Sequence, residues 1–206
     1  MNIIWHGHSC FEITGKDGTI VFDPYQANSV PGLNSLKLKA NLVLCSHEHD
    51  DHNARNCVEV APKDFKVTCI ETYHDHHQGS HRGKNTIHIV DFENLKVVHM
   101  GDIGCMMDDV SKLKNCDVLM IPIGGYYTID TKEALKYIER IQPRIVIPMH
   151  YHSHEFGYDV LSTNEEFIQQ SSSVTYVDDC LEVNKDTKTQ TVVFKELIFL
   201  GFCCNH

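Results

Sequence analysis

The sequence predicts an α/β protein with a mixed sheet or two sheets. Three observations carry this. The first half is strand-rich, its apolar runs broken by Gly and Asx turns. The second half alternates strand-like and helix-like segments. Between them, Leu42-Val43-Leu44 is uniformly apolar, the pattern of a strand covered on both faces, and runs directly into Cys45-Ser46-His47-Glu48-His49-Asp50-Asp51-His52.

Residues 3–13 and 19–22 read as two strands joined by a turn at Gly15-Lys16-Asp17-Gly18. Asp23-Pro24-Tyr25 opens a loop to about Lys39, and residues 42–45 form the next strand. Residues 53–60 are read as a short helix. Strands follow at 65–73, 86–91 and 95–100, the last two joined by a turn at Asp91-Phe92-Glu93-Asn94. A strand at 118–123 ends at Gly124-Gly125. Asp130 with Glu133 makes a capping-box start, and Ala134, Leu135, Ile138 and Ile141 share one helix face. Pro143 ends that helix, and 144–148 is a strand. Ser162 with Glu165 opens a second helix burying Phe167 and Ile168. Strands at 174–177, 180–183 and 189–197 complete the chain. With no linker, repeat or low-complexity segment, residues 1–206 read as one domain.

Apolar residues make up 42%, enough for a core, and the net charge is −10. That balance argues against a nucleic-acid surface and against a polybasic membrane patch. No apolar run approaches the roughly 20 residues of a membrane span. MNIIWHGHSCFEI lacks a signal-peptide pattern, so the expected setting is the cytoplasm. The nine Cys, without any CxxC, mostly sit in apolar runs and read as small buried hydrophobes. The compositional excess is 15 His, the commonest side-chain metal ligand.

Six consecutive ionisable side chains, His47 to His52, stand at the end of a buried strand, where unpaired charge is costly. A metal resolves this. The run contains H-x-H-x-D-H, and on an extended segment His47 and His49 point the same way and can grip one ion. If the chain then turns, Asp51 and His52 can hold a second. Further donors are needed, and three places offer them, each after a strand: Tyr73-His74-Asp75-His76-His77, Met100-Gly101-Asp102 and Ile147-Pro148-Met149-His150.

The ordered set HEHDDH (47–52), His74, Gly101-Asp102 and His150 resembles the metallo-β-lactamase superfamily. Within it the chain is similar to small cytoplasmic hydrolases related to L-ascorbate-6-phosphate lactonase, through WHGHSCFEI, DPY, YHD followed by RGKNTI, HMGDIG, IPIGGYYTID and IPMHY. The resemblance implies a four-layer αβ/βα sandwich, two mixed β-sheets flanked by helices, with a dinuclear site at its edge. One divalent ion would take His47, His49 and His74, the other Asp51, His52 and His150, with Asp102 bridging. His76, His77 and His81 remain alternatives to His74. The expected metal is zinc, with manganese, iron and nickel also suited to such donors. Only about twenty residues separate His52 from His74, shorter than in larger relatives, and the tail FLGFCCNH has no family reading. There Cys203, Cys204 and His206 read as a tail rather than a chelate.

The activity implied is hydrolysis of a small ester, lactone or phosphoester by a metal-bridged hydroxide, with Asp51 orienting it and shuttling its proton. The alternatives are an iron-containing redox protein on the same fold and a non-catalytic metal-binding protein. Asp23 and Asp75 are read either as acceptors for ligand imidazoles or as turn caps. Arg82 and Lys84 offer an anion contact or plain solvated charge, and Tyr126 or Tyr127 an oxyanion contact or packing. His8 is read as structural, with lining of the site as the alternative, His99 as a core residue, and His152 and His154 as solvated. The partner expected is a small-molecule substrate, with no nucleic acid or membrane; a homo-oligomer is left open.

Overall fold

Apolar alternation and turn residues divide the chain into short strands. The structure is a computed structural model and describes residues 1–195. In chain order these residues form β1 (Asn2–Gly7), β2 (Cys10–Gly15), β3 (Gly18–Phe22), β4 (Leu38–Ala40), β5 (Leu42–Leu44), β6 (Val58–Val60) and β7 (Lys66–Tyr73). Then come β8 (Lys84–Phe92), β9 (Leu95–His99), β10 (Val118–Pro122), α1 (Thr131–Ile141), β11 (Ile145–Met149), α2 (Glu165–Gln170), β12 (Val174–Val177), β13 (Cys180–Glu182) and β14 (Gln190–Phe194). The tail 196–206, with Cys203, Cys204 and the end of the last expected strand, lies outside the described residues.

Two mixed sheets result, as expected, with few helices, beside a separate two-stranded parallel sheet, β4-β6. The first has the order β13-β1-β2-β3-β5 and the second β12-β14-β11-β10-β9-β8-β7. Their apolar faces meet in one cluster that includes Ile3, Trp5, Phe11 and Phe22 from the first sheet and Ile87, Val97, Leu119 and Ile147 from the second. Trp5 lies 5.4 to 6.4 Å, ring centroid to ring centroid, from Phe11, Tyr151, Phe156 and Phe194. The opposite face of the first sheet is covered by a smaller cluster, with Cys10, Val21, Tyr25, Val30, Ala40 and Val58. This is where the sequence reading fails. The expected helix at 53–60 is a single 3-10 turn at Arg55–Cys57 followed by β6, which pairs in parallel with β4. Val58 is drawn into that cluster, and tertiary burial decides the conformation.

Other boundaries shift for visible reasons. The expected strand 3–13 is a hairpin, β1 and β2, broken at His8 (φ 53°). β5 is half-buried rather than enclosed: Leu42 and Leu44 face the main core and Val43 the smaller cluster, but it pairs only with β3. α2 begins at Glu165 without help from Ser162, whose N–H bonds Gly124 O. Of the seven described cysteines, none disulfide-bonded, only Cys10 and Cys116 are fully buried; Cys69 and Cys180 are exposed. No helix among the described residues is long and apolar enough to cross a membrane.

α1 carries the expected capping box: Asp130 accepts from Glu133 N–H at 2.9 Å, and Glu133 accepts from Asp130 N–H at 3.1 Å. It buries Ala134, Tyr137 and Ile141, while Leu135 and Ile138 are only half-buried. Asp130→Ala should lower stability by about 1 kcal/mol, or Tm by about 2–4 °C, in thermal unfolding. An unchanged Tm would show that the box contributes nothing here.

Candidate metal centre

Strand direction assembles the site. β9, β10 and β11 run parallel, and β7 runs the same way across antiparallel β8, so their C-terminal ends share one edge. His74 follows β7, Asp102 follows β9 and His150 follows β11. The run His47 to His52 follows β5 of the other sheet, tied across by Thr86 N–H to Ser46 O at 2.9 Å. Ligands collect where strands of such sheets end.

All seven expected donors converge. Asp102 Oδ2 lies 3.0 Å from His150 Nε2, 3.1 Å from His52 Nε2, 3.3 Å from His74 Nε2 and 4.0 Å from His47 Nε2. His47, His49 and His74 bring one donor atom each within 4.8 Å of one another. So do His47, His52 and Asp102, and so do Asp51, His52 and His150 together with His8. Among the loop histidines, His74 is the one whose donor atom lies within 4.8 Å of those of His47 and His49. His76 reaches toward Glu133, and His77 packs against His81 in a tilted pair with ring centroids 4.3 Å apart.

The surroundings set the imidazoles for metal. His52 Nδ1–H donates to Asp23 Oδ2 at 2.8 Å, and His74 Nδ1–H to Tyr127 O at 3.0 Å. Ser46 Oγ–H donates to Asp23 Oδ2 at 2.6 Å, so His47 Nδ1–H donates to Ser46 Oγ at 2.9 Å. In each ring Nδ1 is committed and Nε2 turns to the centre, the arrangement that orients metal ligands. Asp23 is thus an acceptor for the His52 imidazole. Asp75 is instead a loop cap, accepting from the N–H groups of His77, Gly79, His81 and Arg82 at 2.7–3.1 Å. Those four bonds hold its carboxyl well below the usual range.

The residues fit divalent cations. His47 Nε2 and Asp102 Oδ1 are buried with no hydrogen-bond partner among the described residues, a costly state that a cation removes. Burial pushes His47 down to about 3, with His52 beside it adding to the effect. Burial acts the same way on His52, but the carboxylates of Asp102, Asp51 and Asp23 more than offset it and hold that ring protonated. Burial would raise Asp102, yet His150 and His52 keep it ionised. The positive charge that these carboxylates collect as protons is the charge a metal would supply.

The sequence reading misses several parts and gives His8 the wrong weight. His8, for which it prefers a structural role over site lining, lines the site: its side chain is fully buried, with Nε2 3.3 Å from Asp51 Oδ2 and its ring 4.1 Å from that of His150. Its oxygen accepts from Trp5 Nε1–H at 3.0 Å, which pins the turn. Buried Asn85 donates to Met100 O and accepts from Asp102 N–H, both at 2.9 Å or less. Gly101 (φ +55°) is required beside it, since a Cβ there would strike Asn85 Oδ1 and Ser46 Cβ. Tyr158 Oη lies 2.7 Å from Ser29 O and 3.3 Å from Asp51 Oδ2. Tyr127 and Tyr158 line a cavity of about 210 Å³ with His49, Asp51, His74, Arg82, Asp102 and His150. Tyr126 does not; it is 67% exposed and packs on Tyr127. His99 is the expected core residue, stacked on Phe22. Of the other two, His154 is exposed but His152 is half-buried.

Comparison with known proteins agrees with this geometry. The chain is 28% identical to a UPF0173 metal-dependent hydrolase of Thermoplasma acidophilum, covering 81% of this chain and 88% of the relative. It is 30% identical to a UPF0173 metal-dependent hydrolase of Staphylothermus marinus, over 71% of this chain and 82% of that one. A solved structure from Thermotoga maritima, assigned to the metallo-beta-lactamase superfamily, matches with a TM-score of 0.76 at 27% identity, over 94% of this chain and 97% of that one. The family model for the beta-lactamase superfamily domain matches residues 2–150, which include every one of the seven donors, and the chain belongs to that superfamily.

Proposed function

We propose that this chain is a metal-dependent hydrolase acting on a small ester, lactone or phosphoester, with two divalent cations, zinc by expectation. The observation that carries the reading is the position of Asp102 Oδ2, 3.0–3.3 Å from three imidazole Nε2 atoms that belong to both donor groups. The relatives' shared designation as metal-dependent hydrolases supports it. A recess of about 410 Å³ between residues 108–114 and α1 is larger than the site cavity but has no His to join its Asp and Glu side chains.

Two cations held by such donors would supply Lewis acidity and would acidify water toward a pKa of about 7. The chain's own residues do the rest. Asp51 lines the cavity, and although burial would raise its carboxyl, the His52 and His8 imidazoles hold it well below the usual range. It is therefore an ionised hydrogen-bond acceptor able to orient a water. Burial, then Asp51, pushes the Tyr158 hydroxyl up, so it stays a neutral donor beside that carboxylate.

Asp102→Ala should lower bound metal per chain, while exposed His154→Ala should not; metal analysis of both proteins after dialysis checks this. Equal retention would remove Asp102 from the bridging role. Asp51→Asn should keep the metal held by His47, His49 and His74 and lose roughly 10²–10⁴-fold in turnover. Metal content and hydrolysis of an ester, lactone and phosphodiester panel are measured on the same sample. Turnover surviving with the second metal gone would call for a single-metal hydrolase instead.

A further inference from the structure

The chain has four arginines, and three are bonded. Arg55 reaches Glu48 at 2.7 and 3.0 Å. Arg140 donates to Met107 O and Asp108 O, each at 2.7 Å. Arg144 holds Asp117 at 2.8 Å and the carbonyls of Asn184 and Thr187 at 2.7 Å. The guanidinium of Arg82 has no hydrogen bond or ion pair among the described residues. It lies over the rings of Tyr127 and Tyr126, at 5.0 and 5.8 Å from their centroids. In a chain with 28 acidic and 18 basic residues, a half-buried guanidinium without a carboxylate is out of keeping with its setting.

Its place explains the exception. Arg82 lines the metal-centre cavity together with His49, Asp51, His74 and Tyr127. The carboxylates that share its pockets are committed: Asp130 and Glu133 to the α1 capping box, Glu71 to Lys84 at 2.9 Å, Glu48 to Arg55, Asp75 to backbone N–H groups, and Asp51 and Asp102 to the imidazoles of the centre. The loop is preorganised. Asp75 accepts the N–H of Arg82 itself at 2.8 Å, and His74 N–H donates to Gly83 O at 3.1 Å. One caged loop thus carries His74 and Arg82 in a fixed relation. A guanidinium stacked on an aromatic ring keeps its N–H edge free, and that edge matches a planar or tetrahedral oxyanion.

We propose that the substrate carries an oxyanion, a carboxylate or a phosphate, remote from the bond to be cleaved, and that the Arg82 guanidinium binds it at the rim of the metal centre. This rests on the hydrolase reading but is tested separately from it. Inorganic phosphate and succinate are titrated by calorimetry into metal-free wild type, Arg82→Gln and Arg82→Lys, with thermal unfolding to confirm that each variant is folded. Arg82→Gln should bind at least one of the two anions about tenfold more weakly, the scale of a charge-assisted hydrogen bond, with Arg82→Lys between. Loss for phosphate alone assigns a phosphate, loss for succinate alone a carboxylate. Unchanged affinity for both overturns the proposal. With metal-loaded protein, the ratio of kcat/KM for 4-nitrophenyl succinate over 4-nitrophenyl acetate should also fall about tenfold in Arg82→Gln if a carboxylate is the anion. If wild type cleaves no member of the ester, lactone and phosphodiester panel, the hydrolase reading fails while the titrations still decide the role of Arg82.

Discussion

Everything at the site depends on one constraint: Asp102 Oδ2 is buried between imidazoles that come from both sheets. A carboxylate in that position is tolerable only if positive charge surrounds it on every side. The two sheets must therefore dock in one relation, with the end of β5 brought against the ends of β7, β9 and β11. The Thr86–Ser46 backbone bond and the Asn85 amide, which holds the turn before Asp102, enforce that relation in neutral atoms. The core supplies the driving force for docking, and the polar set supplies its precision.

The supporting layer is as specific as the donors. Asp23 serves three groups: the Ser46 N–H, the Ser46 hydroxyl and His52 Nδ1. It sits at φ 42° directly after β3, so the strand end and the site are built by the same backbone turn. Asp75 does parallel work one loop away but orders backbone instead of a ring. The two carboxylates look alike in sequence, each beside a loop after a strand, yet one tunes ligands and the other shapes the rim.

The donor set was legible because its members follow strands and carry distinctive spacing; His47, His49, Asp51 and His52 fall within six residues. Most strands were legible for the same reason, since period-two burial and turn residues are local signals. The failures are all non-local. The segment 53–60 turns extended because Val58 is claimed by a cluster seeded from residues 10–40. His8 enters the site only because the β1–β2 hairpin folds back 43 residues from Asp51. Tyr158 reaches Asp51 across 107 residues, a separation no spacing rule detects. Tyr126 and Tyr127 differ by one position, and only the turn geometry decides which faces the cavity.

Trp5, the single tryptophan, belongs to the aromatic cluster between the sheets and also bonds the carbonyl of His8. The molecule therefore carries its own optical reporter. Its indole N–H is hydrogen-bonded to the carbonyl of the residue whose ring touches Asp51, and no second indole competes with its emission. Displacement of His8 from the centre would lengthen that bond and change the polarity around one fluorophore, making the condition of the site readable from intrinsic light alone.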